Sequence, residues 1–134
     1  MSLSVYLSGA IDDAHLFATH WRLDATKALK DRGYKVNDCY ASNEERSLSY
    51  EEIVQKNLFL QKRSDILLVE YLLPNRSYIG TDFEMAWAKI HGQPCVVICS
   101  HHHINRTYMK YMATKLVRDL EEAVEYVSIN YPNT

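Results

Sequence analysis

The 134-residue sequence has no apolar run long enough to cross a membrane, and no signal-peptide pattern opens it. It also lacks a charge excess. Fifteen Lys and Arg against seventeen Asp and Glu leave a formal charge of -2, and no basic stripe stands out, so the electrostatic footprint of a nucleic-acid binder is missing. Cysteine is scarce and odd in number: Cys39, Cys95 and Cys99, two of them in or beside an apolar strand. They read as reduced, buried thiols, and a cytoplasmic protein is expected. There is no internal repeat, linker or low-complexity tract apart from three consecutive histidines, His101 to His103. Nor is the composition that of a disordered chain: 47% hydrophobic and 24% charged residues suit one domain, 1–134, with a real core.

What is present is organised around Asp65 to Ala88. Ile66 to Val69 is short, apolar and rich in branched residues, which predicts a strand buried on both faces of a parallel sheet. Pro74 and Asn75 end it. Gly80 then offers a place where backbone can approach something closely, and Thr81 opens a helix that runs to about His91. Ligands in open α/β folds sit at the carboxyl ends of strands, where helix N-termini point.

Before this stretch, Ser4 to Ser8 reads as a first strand ending in a tight Gly9-Ala10 turn. Asp12 or Asp13 is placed to cap a helix whose face carries Phe17, Trp21, Ala25, Ala28 and Leu29. Gly33 stops that helix, Tyr34 to Asn37 makes a short second strand, and Asp38 to Ser47 reads as a polar loop over the strand ends. Ser49-Tyr50-Glu51-Glu52 is a capping-box pattern opening a helix to about Arg63, with Val54 and Leu58 on one edge and Ile53 and Leu60 on another. Beyond the central stretch, Gly92 and Pro94 precede a buried strand, Cys95 to Cys99. His101 to Ala113 is irregular or weakly helical, Thr114 to Arg118 is a short strand, and Leu120, Ala123, Val124 and Val127 mark a last amphipathic helix ended near Pro132. Strands alternating with helices predict a flavodoxin-like three-layer α/β/α fold with a four- to five-stranded parallel sheet and right-handed crossovers.

Glu84 is the first candidate for chemistry, and its spacing supports two readings. Thr81-Asp82-Phe83-Glu84 is itself a capping box, in which Glu84 satisfies a backbone N–H; spacing alone favours this. The other reading uses the same place. A carboxylate in the first helical turn, held ionised by the helix dipole and nearby amides, is in the state a nucleophile needs.

Tyr6-Leu7-Ser8-Gly9-Ala10, Trp21-Arg22, Asn57-Leu58, Ser64-Asp65 and Gly80-Thr81-Asp82-Phe83-Glu84-Met85-Ala86-Trp87-Ala88, in that order and spacing, resemble the nucleoside 2-deoxyribosyltransferase family. That superfamily also contains deoxynucleoside-monophosphate and cytidylate N-glycosidases. The resemblance runs from Val5 to about Ser100. It implies a flavodoxin-like sheet, in agreement with the pattern above, and an enzyme whose nucleophile is Glu84. It implies substrate contacts from Tyr6, Ser8, Gly9, Ala10, Asn57, Tyr78 and Gly80. Arg106 and Thr107 stand where the family places a segment reaching a neighbouring subunit's site, so they are phosphate candidates. A nucleoside or nucleotide substrate, no cofactor and an assembly of dimer or larger are implied.

The sequence departs from the family pattern at Asn57 and Tyr78, where the family's transferases carry aspartates. Asn57 hydrogen-bonds but cannot act as a base, and a tyrosine of ordinary pKa is a reluctant acid. Transfer to another base and hydrolysis both stay open. Blander readings stand beside the others: a tight turn for Ser8 to Ala10, core for Tyr6 and Trp21, surface for Arg22, a structural cap for Asp65 and a solvated loop for the histidines, which have no partners spaced to complete a metal site. The alternative function is a non-catalytic nucleotide-binding or sensor module. A phosphoacceptor receiver wants an aspartate at the end of the third strand, where this chain has Glu70-Tyr71.

Overall fold

A computed structural model describes residues 2–11, 14–40 and 48–133. Among these residues five parallel strands form one sheet: β1 (Ser4–Ser8), β2 (Lys35–Asn37), β3 (Ile66–Tyr71), β4 (Cys95–Cys99) and β5 (Lys115–Val117). The helices are α1 (His15–Asp31), α2 (Tyr50–Lys62), α3 (Ile79–His91), α4 (Thr107–Met112) and α5 (Leu120–Asn130). The strand order is β2-β1-β3-β4-β5, the flavodoxin-like order that alternation predicted. The register sets Tyr6 against Leu67 and Ser8 against Val69.

β1, β3 and β4 are buried throughout, as strands with helices on both faces must be. Their period of two divides the core. Val5, Leu7, Ile66, Leu68, Val96 and Ile98 meet α1 and α5 through Ala25, Leu29, Ala123 and Val127. Tyr6, Leu67, Val69, Val97 and Cys99 meet α3 and α4 through Met85, Ala88 and Met109. Cys39, Cys95 and Cys99 are buried and in no disulfide, as expected. No helix among the described residues is long and apolar enough to cross a membrane.

Local signals account for most boundaries. Ser49 and Glu52 form the reciprocal capping box of α2. Gly33 (φ 88°) and Gly92 (φ 74°) take the left-handed conformation that follows a helix end. Asp65 accepts from the Ser4 amide at 2.8 Å at the far end of the sheet, a structural cap. The proposed Asp12 or Asp13 cap lies outside the described residues, as does 41–47 of the expected 38–47 loop.

Several expectations fail. α3 begins at Ile79 rather than Thr81, because the Tyr78 carbonyl already accepts from the Asp82 amide at 2.7 Å. No side chain caps it, so the Thr81–Glu84 capping box does not form. At Gly80 a Cβ would meet no protein atom within 4 Å, so any close approach there is to the contents of a cavity and not to the rest of the protein. Cys39, expected in a polar loop, packs in the core on the α3 side. His103 is buried rather than solvated, its Nε2–H donating to the Leu73 carbonyl at 2.9 Å and its ring edge-on to Tyr71. Arg22 is 5% exposed, not a surface residue.

Candidate active site

Alternation along β1 sends Tyr6 and Ser8 out of the same face, towards α3. On α3, Thr81 and Glu84 are one turn apart and so share a side of the helix. The two elements meet at Glu84. The Tyr6 hydroxyl donates to Glu84 Oε2 at 2.5 Å, and the Ser8 hydroxyl donates to Oε1 at 2.5 Å. Thr81 Oγ1 lies 3.1 Å from Ser8 Oγ. Behind the carboxylate, Gln61 Nε2 donates to the Glu84 backbone carbonyl at 2.9 Å and ties α3 to α2.

The Glu84 carboxyl therefore faces β1 instead of folding back on its own helix. Each oxygen takes one hydroxyl donor and keeps a lone pair for something else. Burial raises its pKa above the ordinary carboxylate range, while the Ser8 and Tyr6 donors and the Arg22 charge pull the other way without cancelling the rise. Sequence reasoning expected backbone amides to hold this group ionised; the donors are hydroxyls, and the net direction is upward. Tyr6 is pushed the same way, first by burial and then by the Glu84 charge, so it stays a phenol and a donor.

A cavity of about 590 Å³ opens in front of this group, within the size range of small-molecule sites. β1 and its turn supply Tyr6, Leu7, Ser8 and Gly9; α2 supplies Tyr50, Ile53, Val54 and Asn57; Ser77 to Thr81 and Glu84 supply the rest of that wall. Ile11, Arg22, Cys39 and Tyr40 complete the described lining. Among the described lining residues, Glu84 is the only carboxyl group and Arg22 the only cation. Arg22 donates through Nη1 to Asp38 at 2.7 Å and to the Leu7 carbonyl at 3.3 Å, with its guanidinium near the rings of Trp21 and Tyr40. Burial pushes the Cys39 thiol up to about 11, so it is protonated at neutral pH and does not compete as a nucleophile.

Of the residues singled out from the sequence, Tyr6, Ser8, Gly9, Asn57, Tyr78, Gly80 and Glu84 line this one cavity. Ala10 does not: its amide donates to Glu70 Oε1 at 3.0 Å, inside the protein. Tyr78 lines the cavity, but its hydroxyl donates to Glu70 Oε2 at 2.5 Å and is not presented to a ligand. Arg106 and Thr107, at the start of α4, are exposed and outside the described lining. Among the described residues no His, Cys, Asp and Glu cluster is arranged to hold a metal ion.

Sequence reasoning missed Arg22 and Glu70, and each left a signal. Ala18, Arg22, Ala25 and Leu29 keep helical spacing, which puts Arg22 on the buried face of α1. Glu70 is a lone acid in a strand buried on both faces, where it must find donors.

No protein-family model matches the chain, and no curated protein matches it. Solved structures do. A 2-deoxyribosyltransferase from Bacillus psychrosaccharolyticus superposes with a TM-score of 0.75 at 18% identity, over 92% of this chain and 91% of that one. A 2-desoxiribosyltransferase from Leishmania mexicana gives 0.73 at 12% identity, over 96% and 99%. The CMP N-glycosidase BcmB from Clostridium botulinum gives 0.67 at 13% identity, over 94% and 98%. This is the 2-deoxyribosyltransferase fold. In this chain's version of it, the described cavity lies where β1, α2 and the start of α3 converge, with Glu84 in its wall.

Proposed function

We propose that the chain is a nucleoside 2-deoxyribosyltransferase-like enzyme that cleaves the N-glycosidic bond of a nucleoside or nucleotide, with Glu84 as nucleophile. The observation that carries this reading is the Glu84 carboxyl, held by two β1 hydroxyls at the wall of a ligand-sized cavity instead of capping its helix. The likeness in fold to deoxyribosyltransferases and a CMP N-glycosidase supports it.

In the first step a Glu84 oxygen bonds to the anomeric carbon as the C–N bond breaks, through an oxocarbenium-like transition state. The base leaves with the bonding electron pair and takes up a proton from solvent. In the second step water or another base attacks the same carbon and gives up a proton to solvent, the glycosyl ester breaks, and Glu84 regains its carboxylate with overall retention. Tyr6 and Ser8 fix the carboxylate's orientation before attack, which lowers the entropy lost on reaching the transition state. As the carboxylate charge is consumed their hydrogen bonds weaken, and they strengthen again when it departs. Asn57 on α2 offers an amide donor and acceptor to the base or sugar.

The function is tested by incubating the protein with a panel of deoxynucleosides, ribonucleosides and their monophosphates, with and without an acceptor base. Free base without an acceptor identifies a hydrolase; exchange only with an acceptor identifies a transferase. Binding of these compounds, seen as thermal stabilisation, with no base release under either condition would overturn the enzymatic reading in favour of a sensor.

A further inference from the structure

We propose that Glu70, which does not line the cavity, is a positioning residue that sets the separation between the nucleophile and its hydroxyl donors, together with the Tyr78 hydroxyl. The proposal rests on the reading of Glu84 as nucleophile.

Glu70 is fully buried at the end of β3, between the two elements that make the site. Its two oxygens divide between them. Oε1 accepts from the Ala10 amide at 3.0 Å and so holds the turn after β1, the strand that carries Tyr6 and Ser8. Oε2 accepts from the Tyr78 hydroxyl at 2.5 Å and from the Leu72 amide at 2.7 Å. Tyr78 is the residue that precedes α3, and Glu84 lies six positions along, about 9 Å down a helix that moves as a rigid rod. One carboxylate thus fastens both the donors and the group they orient.

The surrounding contacts stiffen this link. The Tyr78 hydroxyl also accepts from the Leu73 amide at 3.0 Å, and the Leu73 carbonyl takes the His103 donor, so the loop after β3 is held on both sides. The Tyr78 ring stacks on Tyr71 at a centroid distance of 3.9 Å. On the β1 side, the register that sets Ser8 against Val69 places Gly9 beside Glu70, and a Cβ at Gly9 would lie 2.6 Å from Oε1. A misplacement of about 1 Å at a reacting carboxylate costs on the order of a hundredfold in rate.

The experiment compares wild type, Glu84→Ala, Tyr78→Phe and Glu70→Gln for base release, melting temperature and crystal structure. Tyr78→Phe keeps the ring and its stack but removes the hydroxyl. Glu70→Gln keeps an oxygen for Ala10 and sets an NH₂ against the Leu72 amide. Both are expected to lower kcat about tenfold or more and to change KM less than threefold; Tyr78→Phe is expected to melt within a few degrees of wild type and Glu70→Gln, which loses a buried acceptor, at a lower temperature. Their crystal structures are expected to show the Glu84 carboxyl displaced from Tyr6 and Ser8. If Glu70→Gln does not fold, Tyr78→Phe carries the test alone. Wild-type kcat with an unmoved Glu84 in Tyr78→Phe would overturn the positioning role and leave the catalytic reading standing. Base release that is equal in wild type and Glu84→Ala would remove the catalytic reading, while the crystal structures would still report on the link.

Discussion

Ser8 and Glu84, 76 residues apart in the chain, are joined by a hydrogen bond of 2.5 Å from hydroxyl to carboxylate. Together with the Tyr6 bond to the other oxygen, it converts a helix-start glutamate into a group aimed at a cavity. Hydrogen bonds to a charged acceptor are worth about 1.5–3 kcal/mol each. They stabilise the resting carboxylate, so the rate effect comes from lost orientation: Tyr6→Phe and Ser8→Ala are each expected to lower kcat/KM by about tenfold or more. Each also removes a donor that favours the charged form, so the acid limb of the pH–rate profile should move further up. Steady-state kinetics across pH check both effects.

The proposed role of Glu84 gives the pH dependence of turnover a sign that follows from burial. A carboxyl nucleophile must be ionised to attack, and burial holds the Glu84 pKa above the ordinary value of about 4.3 for glutamate. Activity should be lost as pH falls through that raised value, so the acid limb of kcat/KM lies above the ordinary carboxylate range. Stability runs the other way. A carboxyl whose folded pKa is raised favours the folded state while protonated, and this contribution is lost as pH rises from the unfolded value through the folded one. At neutral pH, Glu84→Gln is expected to abolish turnover without lowering the melting temperature.

Gly9 and Gly80 line the same cavity, yet they should respond in opposite ways to a methyl group. At Gly9 a Cβ would come within 2.6 Å of Glu70 Oε1 and 3.1 Å of Trp21 Cζ2, in the core at the end of β1. Gly9→Ala is expected to destabilise by about 1–3 kcal/mol through overpacking. At Gly80 a Cβ meets no atom within 4 Å and the backbone is helical. Gly80→Ala is expected to stabilise by about 0.4–1 kcal/mol while raising KM, since the methyl enters the cavity. Denaturant unfolding and KM measurements on the pair check this contrast.

Breaking the buried Arg22–Asp38 pair should be costly. The Arg22 side chain is 6% exposed and that of Asp38 18%. Arg22→Met leaves Asp38 without this partner and takes from Glu84 a charge that favours its ionised form. A loss of about 3 kcal/mol or more is expected, the range found when one member of a buried pair is removed. The acid limb should also move upward. Thermal unfolding and the pH–rate profile separate the two effects.

The fold was legible because its signals are local or periodic. Ile66 to Val69 and Cys95 to Cys99 can bury both faces only inside a parallel sheet, and Ser49 to Glu52 names its own helix start. The site was legible in part. Strand-end and helix-start positions followed from the alternation of elements, and the resemblance singled out Glu84. Spacing could not say whether Glu84 would cap its helix or meet β1, because that depends on a register between Ser8 and Val69 that no local pattern encodes. Nor could it find the partners of Glu70. A lone acid in a buried strand announces that donors must exist, but Ala10, Leu72 and Tyr78 reach it only after β1 and β3 pair. Arg22 was misread because a charged residue beside Trp21 looks like the edge of an apolar face rather than part of it.

The most direct test of the account asks where the sugar goes. Wild-type protein and Glu84→Ala are incubated with a nucleoside carrying a 2-fluoro sugar, a substituent that slows breakdown of a glycosyl ester. Mass spectrometry of the digested protein then locates any label, alongside base release from the natural panel. The account predicts a fluorosugar on the peptide containing Glu84 and base release at least about a thousandfold lower in Glu84→Ala. A label on another residue, or base release undiminished in Glu84→Ala, would contradict it.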